Sequence, residues 1–172
     1  MKELLSWTVS LGTAVLIALL IRSFVFTLIT VKGGSMLNTL RTGDKLYVSI
    51  LSASFGSYER GDIVICRYPG RRDYCVKRVI GLPGDTVSAR DGIVSVNGTP
   101  LEEDYLTFRA HYSYPERTLA EDEYFLLGDN RPISHDSHSS DVGPVTDIVG
   151  KARFRFWPPD RIGGIYPDEG ED

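Results

Sequence analysis

The sequence has no run of basic residues and no internal repeat, and its 172 residues carry a net charge of −4. A protein that binds nucleic acid usually presents a positive patch or field, and nothing in this composition supplies one. A chain of this length is the size of one ordinary domain. We therefore expect a single domain, and we do not expect nucleic acid among its partners.

Charged residues are also absent from Leu4 to Ile21, an uninterrupted stretch of 18 residues. As a helix, this stretch would be about 27 Å long, which is close to the hydrocarbon thickness of a bilayer. A cleavable secretory signal and a buried helix are the alternatives. A signal would need a small-x-small site after the apolar stretch, and residues 22–26 offer none. We expect residues 1–22 to be an uncleaved membrane anchor, although the flanking charges do not decide its orientation.

The rest of the chain favours strands and turns. The sequence has 17 glycines, nine prolines and nine tyrosines, and turn residues separate short stretches of β-branched and aromatic residues. We expect a mainly β domain over residues 23–162 and a disordered tail over residues 163–172, which are rich in Gly, Pro and acidic residues. The expected strands are 24–31, 45–50, 63–68, 74–80 and 151–156, with hairpins at residues 83–85 and at Asn97-Gly98.

Residue types alternate strictly from Lys151 to Phe156. Ala152, Phe154 and Phe156 would share one face of a strand, and the basic residues would share the other. This pattern predicts a half-buried strand whose phenylalanines lie in the core.

Ser35 follows two glycines, Gly33 and Gly34. Glycine lets the backbone bend sharply and lets another chain come close, so a serine here could act as a nucleophile. An ordinary loop serine would have the same local sequence. The pattern alone therefore leaves both interpretations open.

Lys77 is the best candidate for a general base. Strand alternation places Cys75, Lys77 and Val79 on one face and Arg78 on the other. A lysine between apolar neighbours on a core-facing side loses hydration, which lowers the pKa of its ammonium group. The neutral amine could then take a proton from a serine hydroxyl. A lysine that extends from a sheet edge into solvent is the alternative.

Residues 134–138 read Ser-His-Asp-Ser-His and allow two other hypotheses. A Ser-His-Asp triad needs its His and Asp to face each other, but the neighbours His135 and Asp136 would point to opposite faces of a strand. A metal site would need more ligands than this segment supplies. We favour neither hypothesis.

The chain contains four short motifs in a fixed order. They are GSMLNTL (34–40), GDIV (61–64), YCVKRVIGLPGD (74–85) and GDNR (128–131), the last followed by Ser134, Asp136 and Ser137. In this order, and over residues from about 11 to 163, they resemble the conserved boxes of bacterial type I signal peptidases. The resemblance implies a mainly β, signal-peptidase-like fold of the β-ribbon type shared with repressor autoproteases, with one N-terminal transmembrane helix.

The resemblance also implies the chemistry. A Ser35–Lys77 dyad would cleave by way of an acyl-enzyme, without a metal or other cofactor. Ser134 would orient the Lys77 amine. Asp129 would pair with Arg78, and Asp136 would hold the surrounding loop.

By the same resemblance, the substrates would be exported pre-proteins whose signal peptides are cut after small residues. Shallow apolar pockets would select those residues, and the matching positions are Val31, Met36, Leu40 and Val76. The enzyme would be a monomer anchored by a single pass in the lipid bilayer of a bacterial cytoplasmic membrane. Its catalytic domain would lie on the extracytoplasmic side.

Three positions depart from the family pattern. Asn38 stands where the family usually has proline, which would make that turn less rigid. Gly33 stands where some members have a serine that completes the oxyanion hole, so the hole would depend mainly on the Ser35 backbone N–H. His138 stands where the family usually has arginine, and it replaces a permanent cation with a group that titrates near neutral pH.

The sequence leaves two rival functions open. A self-cleaving Ser-Lys repressor protease shares the β fold, but it would need a DNA-binding domain in place of the apolar segment from Leu4 to Ile21. A membrane-tethered β module that binds export or pilus components without cleaving them would not need Ser35 and Lys77. Asn38 and His138 are the features that favour this second rival.

The two cysteines, Cys66 and Cys75, flank the Pro69-Gly70 turn. If the loop closes over residues 69–72, they face each other directly across a hairpin, within reach of a disulfide. If Pro69-Gly70 forms a two-residue turn, they are diagonal neighbours and a bond is disfavoured. The sequence does not decide between a disulfide and two buried thiols.

Overall fold

The computed structural model describes residues 2–51, 58–70 and 72–166, with the side chains of residues 2–5 and 18–25 excepted. Helix α1 extends over Lys2–Val25, three residues beyond the expected anchor boundary. The anchor predicted for residues 1–22 lies partly outside the described residues. Within the described part of the chain, no helix is both long and apolar enough to cross a membrane.

Among the described residues, the larger of two antiparallel sheets has seven strands. Its strands are β1 (Phe26–Thr30), β2 (Lys45–Ser49), β3 (Ile63–Cys66), β4 (Cys75–Gly81), β9 (Phe125–Leu127), β10 (Ile148–Trp157) and β11 (Gly163–Gly164). Their order is β1-β2-β10-β3-β4-β9, and β11 pairs with β10.

The smaller sheet of the described chain has four strands, β5 (Thr86–Arg90), β6 (Ile93–Val96), β7 (Thr99–Pro100) and β8 (Tyr114–Thr118). Their order is β7-β6-β5-β8. The hairpin predicted at Asn97-Gly98 joins β6 to β7, and both turn residues have positive φ, as a tight hairpin turn of this hand requires. The hairpin predicted at residues 83–85 is wrong, because this turn leads from β4 in the larger sheet to β5 in the smaller one.

The segment after β1 is held by its apolar side chains. Val31, Met36 and Leu40 pack with Leu46 and Val48 of β2 in one core cluster. The Val31 N–H also donates to the Asp44 carbonyl oxygen (2.8 Å). Core packing therefore fixes the short segment that contains Ser35, although this segment belongs to no strand.

A β-bulge in β10 overturns the prediction for Phe154. The register of β10 against β2 shifts between Ala152 and Phe154, so strict alternation is lost at this point. Ala152 is fully buried, as expected, but Phe154 is 39% exposed. It stacks on Tyr47 with ring centroids 5.2 Å apart. The aromatic ring covers the outer face of the sheet and does not fill the core.

The expected tail begins too early. Gly163 and Gly164 form β11 against β10, and Ile165 is buried in the same cluster as Met36. The Tyr166 hydroxyl donates to the Ala152 carbonyl oxygen (2.6 Å). Glycine and proline content suggested disorder, but one isoleucine and one tyrosine are enough to fix this segment. Residues 167–172 lie outside the described residues.

The register of β3 and β4 pairs Cys66 directly with Cys75, which is the directly opposed arrangement of the two that the sequence allowed. Both residues are thiols. In the same register Asp62 lies opposite Val79, and the Val79 N–H donates to the Asp62 carbonyl oxygen (2.8 Å). Hydrogen-bonded and non-hydrogen-bonded pairs alternate along two antiparallel strands. Cys66–Cys75, four residues along each strand, is therefore also a hydrogen-bonded pair, whose Cα atoms are typically about 5.5 Å apart. This separation is wider than that of a non-hydrogen-bonded pair but still within disulfide reach.

We expect the protein to yield two thiols per molecule when it is denatured without reductant and labelled with a thiol reagent. Cys66 has no exposed surface, and burial raises the pKa of its thiol, so it carries almost no reactive thiolate. In the native protein Cys66 should therefore resist labelling, and Cys66→Ser should leave native labelling unchanged. A count of zero thiols in the denatured protein would show that the pair is oxidised.

Candidate active site

Ser35 lies in a turn that comes soon after β1, which we call the serine turn (residues 33–37). Gly33 has a φ of 85°, a conformation that glycine adopts without strain. The Leu37 N–H donates to the Gly34 carbonyl oxygen (3.2 Å) and closes the turn. A side chain in place of Gly33 would be strained at this φ.

The serine turn is bonded to the segment after β9, the 128–138 loop. The Asn130 backbone N–H donates to the Ser35 carbonyl oxygen (2.9 Å), and its side-chain amide donates to the Gly34 carbonyl oxygen (3.1 Å). These two bonds fix the backbone on both sides of the Ser35 peptide. The serine turn is thus held by the core on one side and by the 128–138 loop on the other.

Lys77 lies in the middle of β4 and is 2% exposed. Its ammonium group donates to the Ser134 hydroxyl (Nζ to Oγ, 2.6 Å). Burial lowers the pKa of the Lys77 ammonium, while the nearby Asp136 carboxylate partly opposes this change. The burial inferred from strand alternation is confirmed, and its effect on the pKa has the direction that a general base needs.

Gly128 is the point where the two halves of the site meet. A methyl group on its Cα would clash with the Ser134 hydroxyl and with the Ser35 carbonyl oxygen. The partner of the Lys77 amine and the backbone of Ser35 therefore both lie against this one residue. Only glycine leaves room for such an approach.

Asp136 has no exposed surface and connects three groups. One of its oxygens accepts from the Ser134 hydroxyl and from the Gly128 N–H (2.8 Å), and the other lies 2.6 Å from His138 Nδ1. Burial raises the pKa of this carboxyl, but the His138 hydrogen bond, the Lys77 charge and the other two hydrogen bonds together lower it. Asp136 is therefore a buried anion close to Lys77, at 3.8 Å.

The ion pair expected between Arg78 and Asp129 is present. The guanidinium makes two hydrogen bonds to the carboxylate, at 2.9 and 2.6 Å, and both side chains are buried. Thr39 donates from its hydroxyl to the same carboxylate (2.5 Å). This pair joins β4 to the start of the 128–138 loop and, by way of Thr39, to the residues after the serine turn.

A second buried ion pair was not anticipated from the sequence. Arg131 donates to both oxygens of Glu103 and to the Gly128 carbonyl oxygen (3.1 Å). Tyr105 donates to Glu103 (2.7 Å) and lies under the Arg78 guanidinium, 4.0 Å from the ring centroid. Arg131 belongs to the GDNR motif (128–131). Glu103 and Tyr105 lie in an irregular segment, where no sequence pattern indicates their role.

A family model described as signal peptidase, peptidase S26, matches residues 4–157. This chain belongs to the peptidase S26 family. It is 39% identical over 166 residues to a signal peptidase I of Leptolyngbya laminosa, over 92% of this chain and 82% of the relative. It is 34% identical to a signal peptidase IB of Staphylococcus aureus over 91% of each chain.

A crystal structure of a signal peptidase I from Enterococcus faecalis is also similar, with 33% identity and a TM-score of 0.45. The match covers 55% of this chain and 96% of that one. Membership of the S26 family makes this chain a serine endopeptidase, and the family resemblance inferred from the four motifs is confirmed.

The four residues matched to substrate pockets of the S26 family lie together. Val31, Met36 and Leu40 are 3%, 1% and 0% exposed, and the partly buried Val76 packs against their cluster. Leu40 therefore has no surface that a ligand could contact. Val76, in β4 next to Lys77, keeps the largest exposed area of the four.

The two rival arrangements in residues 134–138 receive no support from the geometry. Ser134 bonds to Asp136 and Lys77 but to neither histidine, and His135 pairs with Asp141 at the surface (2.9 Å). Among the described residues, no group of three or more His, Cys, Asp or Glu side chains is placed to hold a metal ion.

Asn38, a departure from the family pattern, donates from its side-chain amide to the Thr107 hydroxyl. This bond connects the residues after the serine turn to another segment of the chain.

We expect Gly128→Ala to lower kcat strongly while the protein stays folded. The added methyl group must separate the Ser134 hydroxyl from the Ser35 carbonyl oxygen, and overpacking of this kind costs about 1–3 kcal/mol of stability. Cleavage of a signal-peptide-bearing precursor and the thermal midpoint of unfolding would be measured. Gly164→Ala is the matched control, since its nearest neighbour would be at an ordinary 3.9 Å. Full activity in Gly128→Ala would contradict this placement.

Proposed function

We propose that this protein is a membrane-bound serine endopeptidase that removes signal peptides from exported pre-proteins, with Ser35 as nucleophile and Lys77 as general base. The observation that carries the proposal is the buried Lys77 amine, whose pKa is lowered by burial and whose partner Ser134 meets the serine turn at Gly128. The names of the relatives support the same substrate class.

In the proposed reaction, the Ser35 oxygen attacks the carbonyl carbon of the scissile bond while Lys77 takes the hydroxyl proton. Lys77 then gives that proton to the leaving amine, and the peptide bond breaks to leave an acyl-enzyme. A water molecule next loses a proton to Lys77 and attacks the ester. The tetrahedral intermediate formed by this attack then collapses. Its collapse releases the new carboxyl end of the substrate and returns the proton from Lys77 to Ser35.

The Ser35 backbone N–H is the proposed donor to the oxyanion. It belongs to the Gly34–Ser35 peptide, whose carbonyl oxygen accepts a hydrogen bond from the Asn130 side chain, and a fixed donor stabilises developing charge without reorganising. Ser134 and Asp136 are proposed as positioning residues. Ser134 accepts one hydrogen bond from the Lys77 amine and so fixes the orientation of that amine.

The proposed substrate chain docks beside β1. This strand is at one end of the larger sheet, and no strand of the described chain pairs with its outer edge. An extended peptide can add to such an edge through main-chain hydrogen bonds. Val76 and Val31 would then contact small side chains of the substrate, and the buried side chains of Met36 and Leu40 would support these two residues from the core.

The location is proposed from the apolar segment and the family. The stretch from Leu4 to Ile21 carries no charge, and residues 1–22 would form a single-pass anchor in the bilayer of a bacterial cytoplasmic membrane. The catalytic domain would be on the extracytoplasmic side, where exported chains emerge. The proposed enzyme acts as a monomer.

We expect Ser35→Ala, Lys77→Ala and the double variant to lose precursor cleavage to a similar extent, by about three orders of magnitude or more. Residues that act as one unit have non-additive effects, so the second substitution should cost little more. Lys77→Arg should also fail, because a guanidinium does not lose its proton at working pH.

Ser88→Ala and Lys45→Ala are matched controls outside the site and should retain cleavage. If Lys77→Ala cleaved at near the wild-type rate, the dyad would be wrong. If the wild-type protein bound signal peptides but never cut them, the chain would be a tethered binding module.

The rate should rise with pH along a limb set by Lys77. Below its pKa the amine is protonated and cannot accept the Ser35 proton, and above its pKa the neutral amine can. Because burial lowers that pKa, kcat/KM should reach its plateau at a lower pH than an ordinary lysine would allow. A pH profile that begins to rise only in the ordinary lysine range would rule out this role.

A further inference from the structure

A continuous set of hydrogen bonds leads from Lys77 to the protein surface. The Lys77 amine bonds to Ser134 (2.6 Å), Ser134 bonds to one oxygen of Asp136, and the other oxygen of Asp136 bonds to His138 (2.6 Å). Lys77, Ser134 and Asp136 are at most 6% exposed, whereas the His138 side chain is 18% exposed. His138 is therefore the member of this set that exchanges protons most easily with solvent.

His138 is held in one orientation from two sides. Its ring packs on the Tyr112 ring at a centroid distance of 4.4 Å, and its backbone N–H as well as Nδ1 is directed at Asp136. The Nδ1 contact requires that this nitrogen carry the proton, because Asp136 is an anion. The remaining nitrogen, Nε2, is then the atom that gains or loses a proton.

Few other charges face this histidine. Tyr112, from the segment before β8, bonds through its hydroxyl to Arg131 (3.4 Å), whose charge is matched by Glu103. Cys66 and Tyr68 of the β3 side also lie near Asp136, and burial raises the pKa of both groups, so they stay neutral. The unbalanced charges that remain are those of Asp136 and Lys77.

The sign of the coupling follows from these charges. When His138 is protonated, its positive charge offsets Asp136, and the carboxylate stabilises the Lys77 ammonium less. When His138 is neutral, the full charge of Asp136 acts on Lys77 and the ammonium is held more strongly. Protonation of His138 therefore favours the neutral, reactive amine at low pH, where that form is otherwise scarce.

We propose that His138 is a positioning residue that acts through Asp136 and Ser134 to set the pH range in which Lys77 can accept a proton. This inference rests on the proposed function of Lys77. With a titratable group at this position, the enzyme keeps a larger reactive fraction on the acid side than a neutral residue would allow. It gives up that gain on the alkaline side, where the amine is neutral in any case.

Two variants separate the charge states. His138→Arg carries a permanent positive charge and His138→Gln carries none. In log kcat/KM against pH, the acid limb of His138→Arg should lie about one pH unit below that of His138→Gln. The wild-type curve should follow the arginine variant at the acid end and the glutamine variant at the alkaline end, with a slope below one between them. A merely structural role would lower all parts of the curve together.

His111→Gln is the matched control, since His111 is 86% exposed and pairs with Asp91 away from the site. It should leave the curve unchanged. Superimposable acid limbs for wild type, His138→Arg and His138→Gln would overturn the proposal. If His138→Arg does not fold, comparison of wild type with His138→Gln still tests it, because the two curves must diverge at the acid end.

A second measurement does not need catalysis. The lysine side chains can be labelled with carbon-13, and the Cε resonance of Lys77, assigned by its loss in Lys77→Met, can be titrated by NMR. Its midpoint should be lower in His138→Arg than in His138→Gln. A Lys77 midpoint that does not differ would overturn the role of His138, whereas shifted midpoints without precursor cleavage would keep the coupling and reject the proposed function.

Discussion

Keeping the Lys77 amine out of water is costly, because an ammonium group loses its hydration when it is buried. The arrangement around Lys77 follows from this cost. The Ser134 hydroxyl takes a hydrogen bond from the amine, and the ionised Asp136 lies 3.8 Å away, so the charged form is tolerated but not strongly stabilised. If the carboxylate were closer, it would hold the proton on Lys77. If the carboxylate were absent, the amine would lose its orientation.

The two buried arginines keep this balance in place. Arg78 and Arg131 both bond to the region around Gly128 or Asp129, and each has its own acidic partner. Removing one member of a buried ion pair typically costs 3–5 kcal/mol, since the other charge is left uncompensated. The 128–138 loop has no regular secondary structure to fix it, and these pairs fix it in place of a strand ladder.

Much of the site could be predicted from the sequence, because its residues lie in short motifs or obey strand alternation. The burial of Lys77 followed from the period of two in β4, and the Arg78–Asp129 pair from the resemblance. The exposed Phe154 could not be predicted, since a bulge is a property of two paired strands and not of one. Glu103 lies in an irregular segment, where nothing in the local sequence indicates a partner 28 residues away.

The direct connection between α1 and β1 sets a length scale for the enzyme. Helix α1 ends at Val25 and β1 begins at the next residue, so no flexible linker separates them. Roughly ten residues lead from the end of the helix to Ser35, which limits their separation to at most about 35 Å. If the helix is embedded as proposed, the chain itself acts as a tether of fixed length. Bonds farther from the bilayer surface than this tether allows would escape cleavage, whatever side chains surround them.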